Sequence, residues 1–450
     1  MSGTMSPTPA EPSRGEILLD TPEARPRRLR WPLAAMGALT LTAIGIAVAQ
    51  PARPTTPGAG APKVAVAVDA KAPAFTSKID YRLIDARIGE LMQQRDMVGL
   101  AVAIVEGGEI RFAKGYGVTQ AGGSDPVTTA TVFRWASLSK GVAGTLVAEL
   151  DRAHLLSLNA PVSRYGTSLR LPGGSEAQIS VRDLLSHRVG IVRNAYDDRL
   201  EDGQDPRAIR ASLAELPPYC PPASCYAYQN IAFDAAHEIV ERTTRKSYGD
   251  TANALLFRPL GMVNASVGRA GLEGAASWAR PHRRNRQMVA LKDAYYHVPA
   301  AGGVNSSIFD LARWMQAQMG KAPGILPPEL LDALHAPLVP TPPHGARGPV
   351  DRALAARFYG LGWRDYEYVG HHPVGHRGAV DGYRSAILFD PQADAGIVLL
   401  WNSHSEKPVG LQLEVMDMVY GLPHHQWVEM DEAKPGTAVA PAGQTGRGTQ

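Results

Sequence analysis

A serine and a lysine three positions apart carry the clearest chemical signal in the sequence. Ser137 and Lys140 open an apolar stretch, and no other serine in the chain has a lysine three positions later. On a helix, this spacing places both side chains on one face. A serine hydroxyl becomes a nucleophile when a neighbouring base takes its proton, and a lysine can be that base once burial lowers its pKa from about 10.4. The pair predicts nucleophilic catalysis, against the alternative of a helix-capping serine beside a solvated lysine.

A tyrosine and an asparagine form the second candidate. Tyr228 and Asn230 belong to the one Tyr-x-Asn triplet of the chain, which precedes the amphipathic run 231–240. A phenol can relay protons, and an asparagine amide can donate to a substrate carbonyl and accept from a lysine. Taken alone, the triplet fits better with a tyrosine packed under a loop and a helix-capping asparagine.

The third candidate is a strand-like segment that contains a glycine. His376 is followed by Arg377, Gly378 and Ala379, and then by the apolar run 386–389. A glycine on a strand edge lets a substrate approach the backbone closely, and His376 shares a strand face with Gly378. The alternative for this segment alone is a solvated strand edge.

Three histidines close to this segment do not have the pattern of a metal site. His371, His372 and His376 lie on no predicted helix at ligand spacing, and no carboxylate motif accompanies them. We therefore predict neither a metal nor another cofactor.

The elements that must position these residues are strands near both ends of a long globular stretch and helices between them. The predicted strands are 98–105, 109–113, 383–390 and 395–401, and the clearest predicted helices are 79–95 and 405–420. This order predicts an α+β fold, in which one antiparallel sheet is closed by distant segments and flanked by helices, with a helical subdomain inserted.

The N-terminal residues contain the features that direct a chain to a membrane. Arginines at positions 25, 27, 28 and 30 precede the uncharged run 31–49, which is about the ~18–20 residues that span a bilayer. The run ends in Ala47-Val48-Ala49, which resembles a signal-peptidase site. Since the arginines stay on the cytoplasmic side, we expect the rest of the chain in the cell envelope. A retained anchor is favoured over a cleaved signal, and a buried core helix is the remaining alternative.

The composition divides the rest of the chain and limits its partners. The predicted segments are a disordered cytoplasmic tail (1–30), the membrane anchor or signal (31–49), a linker (50–75), the catalytic domain (76–428) and a flexible tail (429–450). With 46 basic and 43 acidic residues among 450, the net charge of +3 predicts no nucleic-acid partner.

Whether two cysteines in a proline-rich loop form a disulfide depends on the compartment of the chain. Cys220 and Cys225 are too few for a disulfide framework or a four-thiolate metal site. If the chain is exported, the short loop between them permits a disulfide, and otherwise they are two unpaired thiols.

The three motifs in this order resemble those of the penicillin-recognising serine hydrolases. The resemblance is greatest to the class C β-lactamase-like branch, which includes D-Ala-D-Ala carboxypeptidases, D-aminopeptidases and β-lactamase-fold esterases. Further stretches strengthen it and extend it over about residues 80–425: 133–136, 181–190, 258–262, 301–306 and 397–402. The resemblance implies a site between the sheet and the helical subdomain.

The resemblance also implies a role for the residues of the first two motifs. Ser137 would be the acylated nucleophile, and Lys140 would accept its proton. Tyr228 would relay protons, and Asn230 would orient the substrate amide and the lysine.

The strand segment would bind the substrate through His376, Gly378 and Ala379, with the N–H groups of Ala379 and Ser137 as an oxyanion hole. His376 departs from the pattern, because many relatives carry a lysine there. A permanent cation suits a substrate carboxylate, whereas a histidine of ordinary pKa, about 6.5, is mostly neutral at pH about 7. Arg377 would replace the charge if it pointed inward.

The predicted function is therefore that of an envelope serine hydrolase, attached to the membrane through 31–49, that acts on a small molecule or a peptide. It would cleave an ester, an amide or a D-amino-acid peptide through an acyl-enzyme at Ser137. The alternatives are a β-lactamase proper and a catalytically weak penicillin- or peptidoglycan-binding module.

Overall fold

A computed structural model of the chain describes residues 75–342 and 348–430. The predicted tail 1–30 and membrane segment 31–49 lie outside the described residues, as do nearly all of the linker and of the C-terminal tail. None of the helices in 75–342 and 348–430 combines the length and the apolar character that a membrane span requires.

The strands form a large and a small antiparallel sheet. They are β1 (Gly99–Glu106), β2 (Glu109–Gly117), β3 (Phe133–Arg134), β4 (Ser266–Val267), β5 (Val304–Ser306), β6 (Val339–Pro340), β7 (Ala355–Tyr359), β8 (Arg364–Glu367), β9 (Val374–Val380), β10 (Tyr383–Asp390) and β11 (Ala395–Trp401). The large sheet has the order β2-β1-β11-β10-β9-β8-β7-β6, and the small one has the order β3-β5-β4.

Helices cover the large sheet and fill the middle of the chain. The α-helices are α1 (Tyr81–Leu91), α2 (Ser139–Arg152), α3 (Val181–Leu185), α4 (Asp197–Glu201), α5 (Pro206–Ser212), α6 (Ala235–Thr244), α7 (Tyr248–Ala252), α8 (Arg269–Glu273), α9 (Pro299–Gly302), α10 (Ile308–Gln316), α11 (Pro328–His335), α12 (Pro349–Ala353) and α13 (Gly410–Tyr420). Short 3₁₀ turns include Ala136–Leu138 and Lys407–Val409, and π turns follow α7 and α10.

Within the large sheet, the first strand of the chain pairs with the last strand of the chain. β1 runs antiparallel to β11, with Leu100 opposite Trp401 and Glu106 opposite Ala395. The helical middle of the chain is inserted between these two strands. The predicted α+β fold, with its antiparallel sheet closed by distant segments, is thereby confirmed.

β1 is buried along its whole length because helices pack on both faces of the sheet. Ala101, Ala103 and Val105 belong to the core shared with the helical subdomain. The alternating residues Leu100, Val102 and Ile104 face the core under α1 and α13. This double burial explains why the strand is a continuous apolar run rather than an alternating one.

Element boundaries differ from the sequence prediction where local hydrogen bonds define the ends. The helix predicted over 79–95 begins at Tyr81, because the Asp80 carboxylate caps the backbone N–H groups of Arg82 and Leu83. The helix predicted over 405–420 begins only at Gly410, after the 3₁₀ turn. The small sheet was not predicted, because its strands are only two or three residues long.

The loop of the two cysteines is closed by a disulfide. Cys220 and Cys225 are bonded, with their Cα atoms 6.4 Å apart. The loop is held against the turn after α3, where the Gly190 carbonyl accepts the Tyr219 N–H at 2.8 Å and the Arg188 carbonyl accepts the Ala223 N–H at 2.9 Å. The disulfide therefore fixes a loop that leads directly into the Tyr-x-Asn triplet.

Candidate active site

The turn before α2 presents Ser137 at the inner end of the site. Ala136, which precedes it, is buried and adopts a left-handed conformation with φ of 50°. Such a conformation is unusual for a residue with a Cβ and is found where the surrounding structure imposes it. The tight turn leaves Ser137 partly exposed while its neighbours on both sides are buried.

Lys140 is fully buried, and its amine has three oxygen neighbours. Its Nζ lies 2.7 Å from Asn230 Oδ1, 3.0 Å from the Ala301 carbonyl oxygen and 3.3 Å from Ser137 Oγ. A neutral amine has two N–H donors and one lone pair. When the two donors are directed at Asn230 and Ala301, the lone pair points towards the Ser137 hydroxyl, as proton transfer requires.

Burial is the main reason that the Lys140 amine can lose its proton near neutral pH and so accept one from a hydroxyl. Loss of hydration lowers its pKa, and the Arg364 charge adds to the decrease, whereas Asp197 and Asp234 oppose it. The resulting pKa is about 7. A substantial fraction of the amine is therefore neutral at physiological pH.

Asn230 is oriented by a carboxylate that the sequence analysis missed. Its Nδ2 donates to Asp197 Oδ2 at 2.7 Å, which leaves its Oδ1 directed at Lys140. Asp197 is the first residue of α4 and stands in a run of polar residues without a motif. Nothing in its local sequence distinguishes it from its neighbour Asp198.

Tyr228 lies beside the Lys140 amine, and its phenol is protonated. The Lys140 Nζ is 4.7 Å from the centre of its ring. Burial raises the pKa of Tyr228 to about 12, although the Ser137 hydroxyl and the Arg364 charge act against the rise. At neutral pH the phenol keeps its proton, so it can donate to a leaving group.

His187 holds the backbone on both sides of Tyr228. Its carbonyl accepts the N–H of Ala227 at 2.9 Å, and its Nδ1 accepts the N–H of Gln229 at 3.2 Å. Its ring also lies 4.4 Å from the Tyr228 ring. His187 belongs to the stretch 181–190 that contributed to the resemblance, but its positioning role was not predicted.

The edge of β9 approaches Ser137 closely because Gly378 has no side chain. A Cβ at this position would lie 2.3 Å from the Trp135 carbonyl oxygen and 3.1 Å from the Ser137 nitrogen. β8 pairs with β9 only at Val374 and Gly375, so within the described sheet the later part of β9 faces the Ser137 turn instead of a strand. This close contact explains why position 378 is a glycine.

Ala379 opens onto a cavity of about 680 Å³ beside this edge. Its wall includes five basic side chains: Arg134, Arg283, Arg284, Lys292 and Arg384. The carboxylates of Glu201 and Asp381 also line it, and Asp381 pairs with Arg283 at 2.6 Å. A substrate group bound in this cavity would meet a polar and mainly positive environment.

His376 and Arg377 contribute no positive charge to the site. The His376 ring is buried, and burial together with the charges of Arg364 and Lys140 lowers its pKa well below the usual value. Arg377 points to Asp351, with Nη1 2.5 Å from the carboxylate, and not into the site. Since Arg377 does not point inward, it does not replace the charge of a lysine at position 376.

The three histidines of the rejected metal pattern have separate surroundings. His371 stacks on the Tyr420 ring at 3.6 Å, His372 lies 3.7 Å from Asp365, and His376 belongs to the site. In the described parts of the chain, no cluster of three or more histidine, cysteine or acidic side chains has the geometry to hold a metal ion.

The fold and the site together define a class of protein. A mixed helix and antiparallel-sheet architecture carries a serine at the start of a buried helix, a lysine one turn later, and a tyrosine and an asparagine across from them. This is the arrangement of the β-lactamase and penicillin-binding fold. A family model described as Beta-lactamase matches residues 84–415, and the chain therefore belongs to the β-lactamase family of serine hydrolase-type enzymes.

Comparison with individual proteins agrees with this assignment. The chain is 27% identical over 322 residues to an unguisins hydrolase of Aspergillus campestris, a match that covers 68% of this chain and 58% of that protein. It is 27% identical over 347 residues to esterase EstB of Burkholderia gladioli, covering 69% of this chain and 80% of the esterase. A second unguisins hydrolase, from Aspergillus violaceofuscus, also matches. The matches span only 58% of the first hydrolase and 66% of the second.

A solved structure shows the same fold at low sequence identity. The octameric penicillin-binding protein homologue from Pyrococcus abyssi superposes with a TM-score of 0.67 and is 23% identical, covering 76% of this chain and 78% of that chain. At this identity the likeness concerns the architecture alone.

Proposed function

We propose that the protein is a serine hydrolase that forms an acyl-enzyme at Ser137 and cleaves an ester, an amide or a D-amino-acid peptide. The observation that carries the proposal is the position of the Lys140 amine. Two buried oxygens take its N–H groups, and its remaining direction points to the Ser137 hydroxyl 3.3 Å away.

The proposed reaction uses the other residues in turn. Lys140 takes the Ser137 proton as Oγ bonds to the carbonyl carbon, and the oxyanion is stabilised by the N–H groups of Ser137 and Ala379. Tyr228 then gives its proton to the leaving oxygen or nitrogen and recovers one from Lys140, as the bond to the leaving group breaks. Water attacks the acyl-enzyme with the same proton relay and frees Ser137.

The names of two relatives, a hydrolase and an esterase, support hydrolysis of acyl compounds. His376 favours ester or peptide substrates over β-lactams, because it is neutral and buried. The same observation motivates a second candidate, a binding module of this fold with weak turnover. A burst followed by steady turnover of a nitrophenyl ester would exclude that candidate.

We further propose that the domain works in the cell envelope. The arginines and the uncharged run 31–49 support export, and the Cys220–Cys225 disulfide fits an oxidising compartment. Membrane fractionation of the full chain and of a chain without residues 31–49 tests this: loss of the segment should release the protein from the membrane fraction. Equal recovery of both chains in the soluble fraction would contradict the anchor.

Covalent labelling tests the acyl-enzyme directly. A fluorescent fluorophosphonate is expected to label the wild-type protein and to leave Ser137→Ala unlabelled, because the Ser137 hydroxyl is the one that lies 3.3 Å from the buried Lys140 amine. Ser163→Ala is the matched control, since Ser163 is exposed on a short turn, and it should be labelled like the wild type. Labelling that persists in Ser137→Ala would refute the proposal.

The pH profile tests the role of Lys140 as the base. Below its pKa of about 7, kcat/KM for a neutral ester should fall tenfold per pH unit, and above it the value should level off. Asp197 raises the pKa of Lys140, so Asp197→Asn should move the acidic limb of the profile to lower pH.

Asp198→Asn is the control for this shift. It removes an exposed carboxylate one residue away and should leave the position of the limb unchanged. A profile that does not move in Asp197→Asn would contradict the assignment of the limb to Lys140.

A further inference from the structure

The loop closed by the Cys220–Cys225 disulfide ends three residues before Tyr228, the proposed proton donor of the site. The disulfide joins residues only five positions apart. In the chain-entropy account, it therefore stabilises the whole fold less than a disulfide that closes a long loop. What it constrains most directly is the local path of the chain over 220–225, and hence the place from which the Tyr-x-Asn triplet starts.

The turn that follows α3, residues 187–190, is bonded to this loop. The Arg188 carbonyl accepts the N–H of Ala223 at 2.9 Å, and the Arg188 side chain donates back to the Ala223 carbonyl. Gly190 lies so close to the loop that a Cβ there would be 2.9 Å from the Cys220 carbonyl oxygen. The path of the loop and the position of the turn are therefore set together.

The same turn holds the backbone on both sides of Tyr228. The His187 carbonyl accepts the N–H of Ala227 at 2.9 Å, and its Nδ1 accepts the N–H of Gln229 at 3.2 Å. The His187 ring is fully buried and packs against the Tyr228 ring, with the two centres 4.4 Å apart. Because close-packed groups move together, a displacement of the loop is passed through this turn to the Tyr228 phenol.

The disulfide is open to reduction in the folded protein. Cys220 and Cys225 are both partly exposed, and Cys220 lines a cavity of about 460 Å³. A dithiol reduces such a bond in two steps. One of its thiolates attacks a sulfur and the S–S bond breaks, and its second thiol then releases the cysteine held in the mixed disulfide. The dithiol ends as a disulfide, and its two protons end on the two cysteines.

We propose that the Cys220–Cys225 disulfide is a positioning element for Tyr228, so that efficient proton transfer to a leaving group requires the oxidised loop. The proposal rests on the proposed acyl transfer at Ser137 and adds a structural condition to it. Tyr228 must meet the leaving group at hydrogen-bond distance, and a misplacement of about 1 Å lowers a rate by as much as about 100-fold.

Two esters of one acid with different leaving groups report on the position of Tyr228. Para-nitrophenolate leaves without a proton, whereas ethanol needs one. The full chain is reduced with dithiothreitol and freed of the reductant under argon. Its kcat/KM for ethyl butyrate should then fall by about 10- to 100-fold, and that for para-nitrophenyl butyrate by less than about twofold. Reoxidation should restore the ratio of the two values, here called the ester ratio.

Three variants connect this effect to the disulfide and to Tyr228. Cys220→Ser combined with Cys225→Ser should have the ester ratio of the reduced wild type and should not respond to the dithiol. In Tyr228→Phe, reduction should leave the residual ethyl ester rate unchanged, because the two changes act through the same group. Ser224→Ala is the matched control, since it removes a hydrogen bond within the loop but keeps the disulfide, and it should have the wild-type ratio.

The results that overturn the inference differ from those that overturn the proposed function. An equal loss for both esters on reduction, an unchanged ester ratio, or a response of Tyr228→Phe as large as that of the wild type would each refute the positioning role. Fluorophosphonate labelling of Ser137 expels fluoride and needs no proton from Tyr228, so it should persist in the reduced protein. Absence of labelling in the oxidised protein would refute the acyl transfer itself.

Discussion

Replacing Lys140 with methionine is expected to lower kcat/KM for a neutral ester by about 10³-fold, the usual contribution of a general base. The lysine is the amine in contact with the Ser137 hydroxyl, and methionine has a similar length without a proton acceptor of comparable strength. Asn230 Oδ1 and the Ala301 carbonyl would each lose a donor. Steady-state kinetics together with fluorophosphonate labelling rates measure the effect.

A rescue experiment distinguishes the chemical role of Lys140 from a structural one. In Lys140→Ala, the space left by the side chain should admit a small primary amine such as ethylamine, which would restore part of the activity in its neutral form. Lys114→Met is the matched control, because Lys114 is exposed and pairs with Asp85 on the surface, and it should retain full activity. Near-normal activity of a folded Lys140→Met would contradict the role of Lys140 as the base.

Replacing Arg210 with methionine is expected to lower the free energy of unfolding by about 3–5 kcal/mol, because it leaves buried carboxylates without their cation. Arg210 is almost completely buried and lies 2.7 Å from Asp234 and 2.8 Å from Glu238. Asp234 Oδ1 in turn accepts the N–H of Ala300, the residue before the carbonyl that binds Lys140. Urea denaturation measures the stability, and activity should fall with it.

The loss in Arg210→Met should depend on pH. Burial acts to raise the pKa of Glu238, but hydrogen bonds from Ser168 and the Arg210 charge outweigh it and lower the pKa to about 2. Because this pKa is lower than in the unfolded chain, the interaction stabilises the fold above pH about 4.5 and is lost as the pH falls towards 2. The difference between wild type and variant should therefore be largest at neutral pH and smaller in acid.

A surface ion pair provides the control for Arg210. Arg152 pairs with Glu149 at 2.8 Å on the outside of α2, and about half of its side chain is exposed. Arg152→Met should cost at most about 1 kcal/mol, as is usual for exposed pairs. If Arg210→Met lowered the free energy of unfolding as little as this control does, the conclusion that the buried ion pairs support the site would be wrong.

The closeness of Ser137 and Lys140 could be predicted from the sequence because it depends on short-range geometry. A spacing of three on a helix brings Ser137 and Lys140 together whatever the rest of the fold does, and the apolar residues around them predict the burial that lowers the lysine pKa. The order of three unique motifs was enough to predict the fold class, which the structure and the family match confirm.

The partners of these residues could not be read in the same way. Asp197 lies 33 positions from Asn230, and the Ala301 carbonyl lies 161 positions from Lys140. Neither has a local signal, because a carboxylate in a polar run and a backbone oxygen look ordinary until the chain folds. The closure of the sheet and the docking of α4 and α9 bring them to the amine.

The sequence by itself therefore determined the class of fold and the closeness of Ser137 and Lys140, since helical periodicity and apolar patterning act over a few residues. The tertiary structure alone decided which arginine lies beside Tyr228. The motif pointed to His376 and Arg377. In the folded chain, His376 is buried with its ring bound to the Tyr359 hydroxyl, and Arg377 pairs with Asp351. Strand pairing places Arg364 beside Tyr228. Such a choice depends on which side chains a sheet register places next to each other, and a register is a property of two strands and not of one.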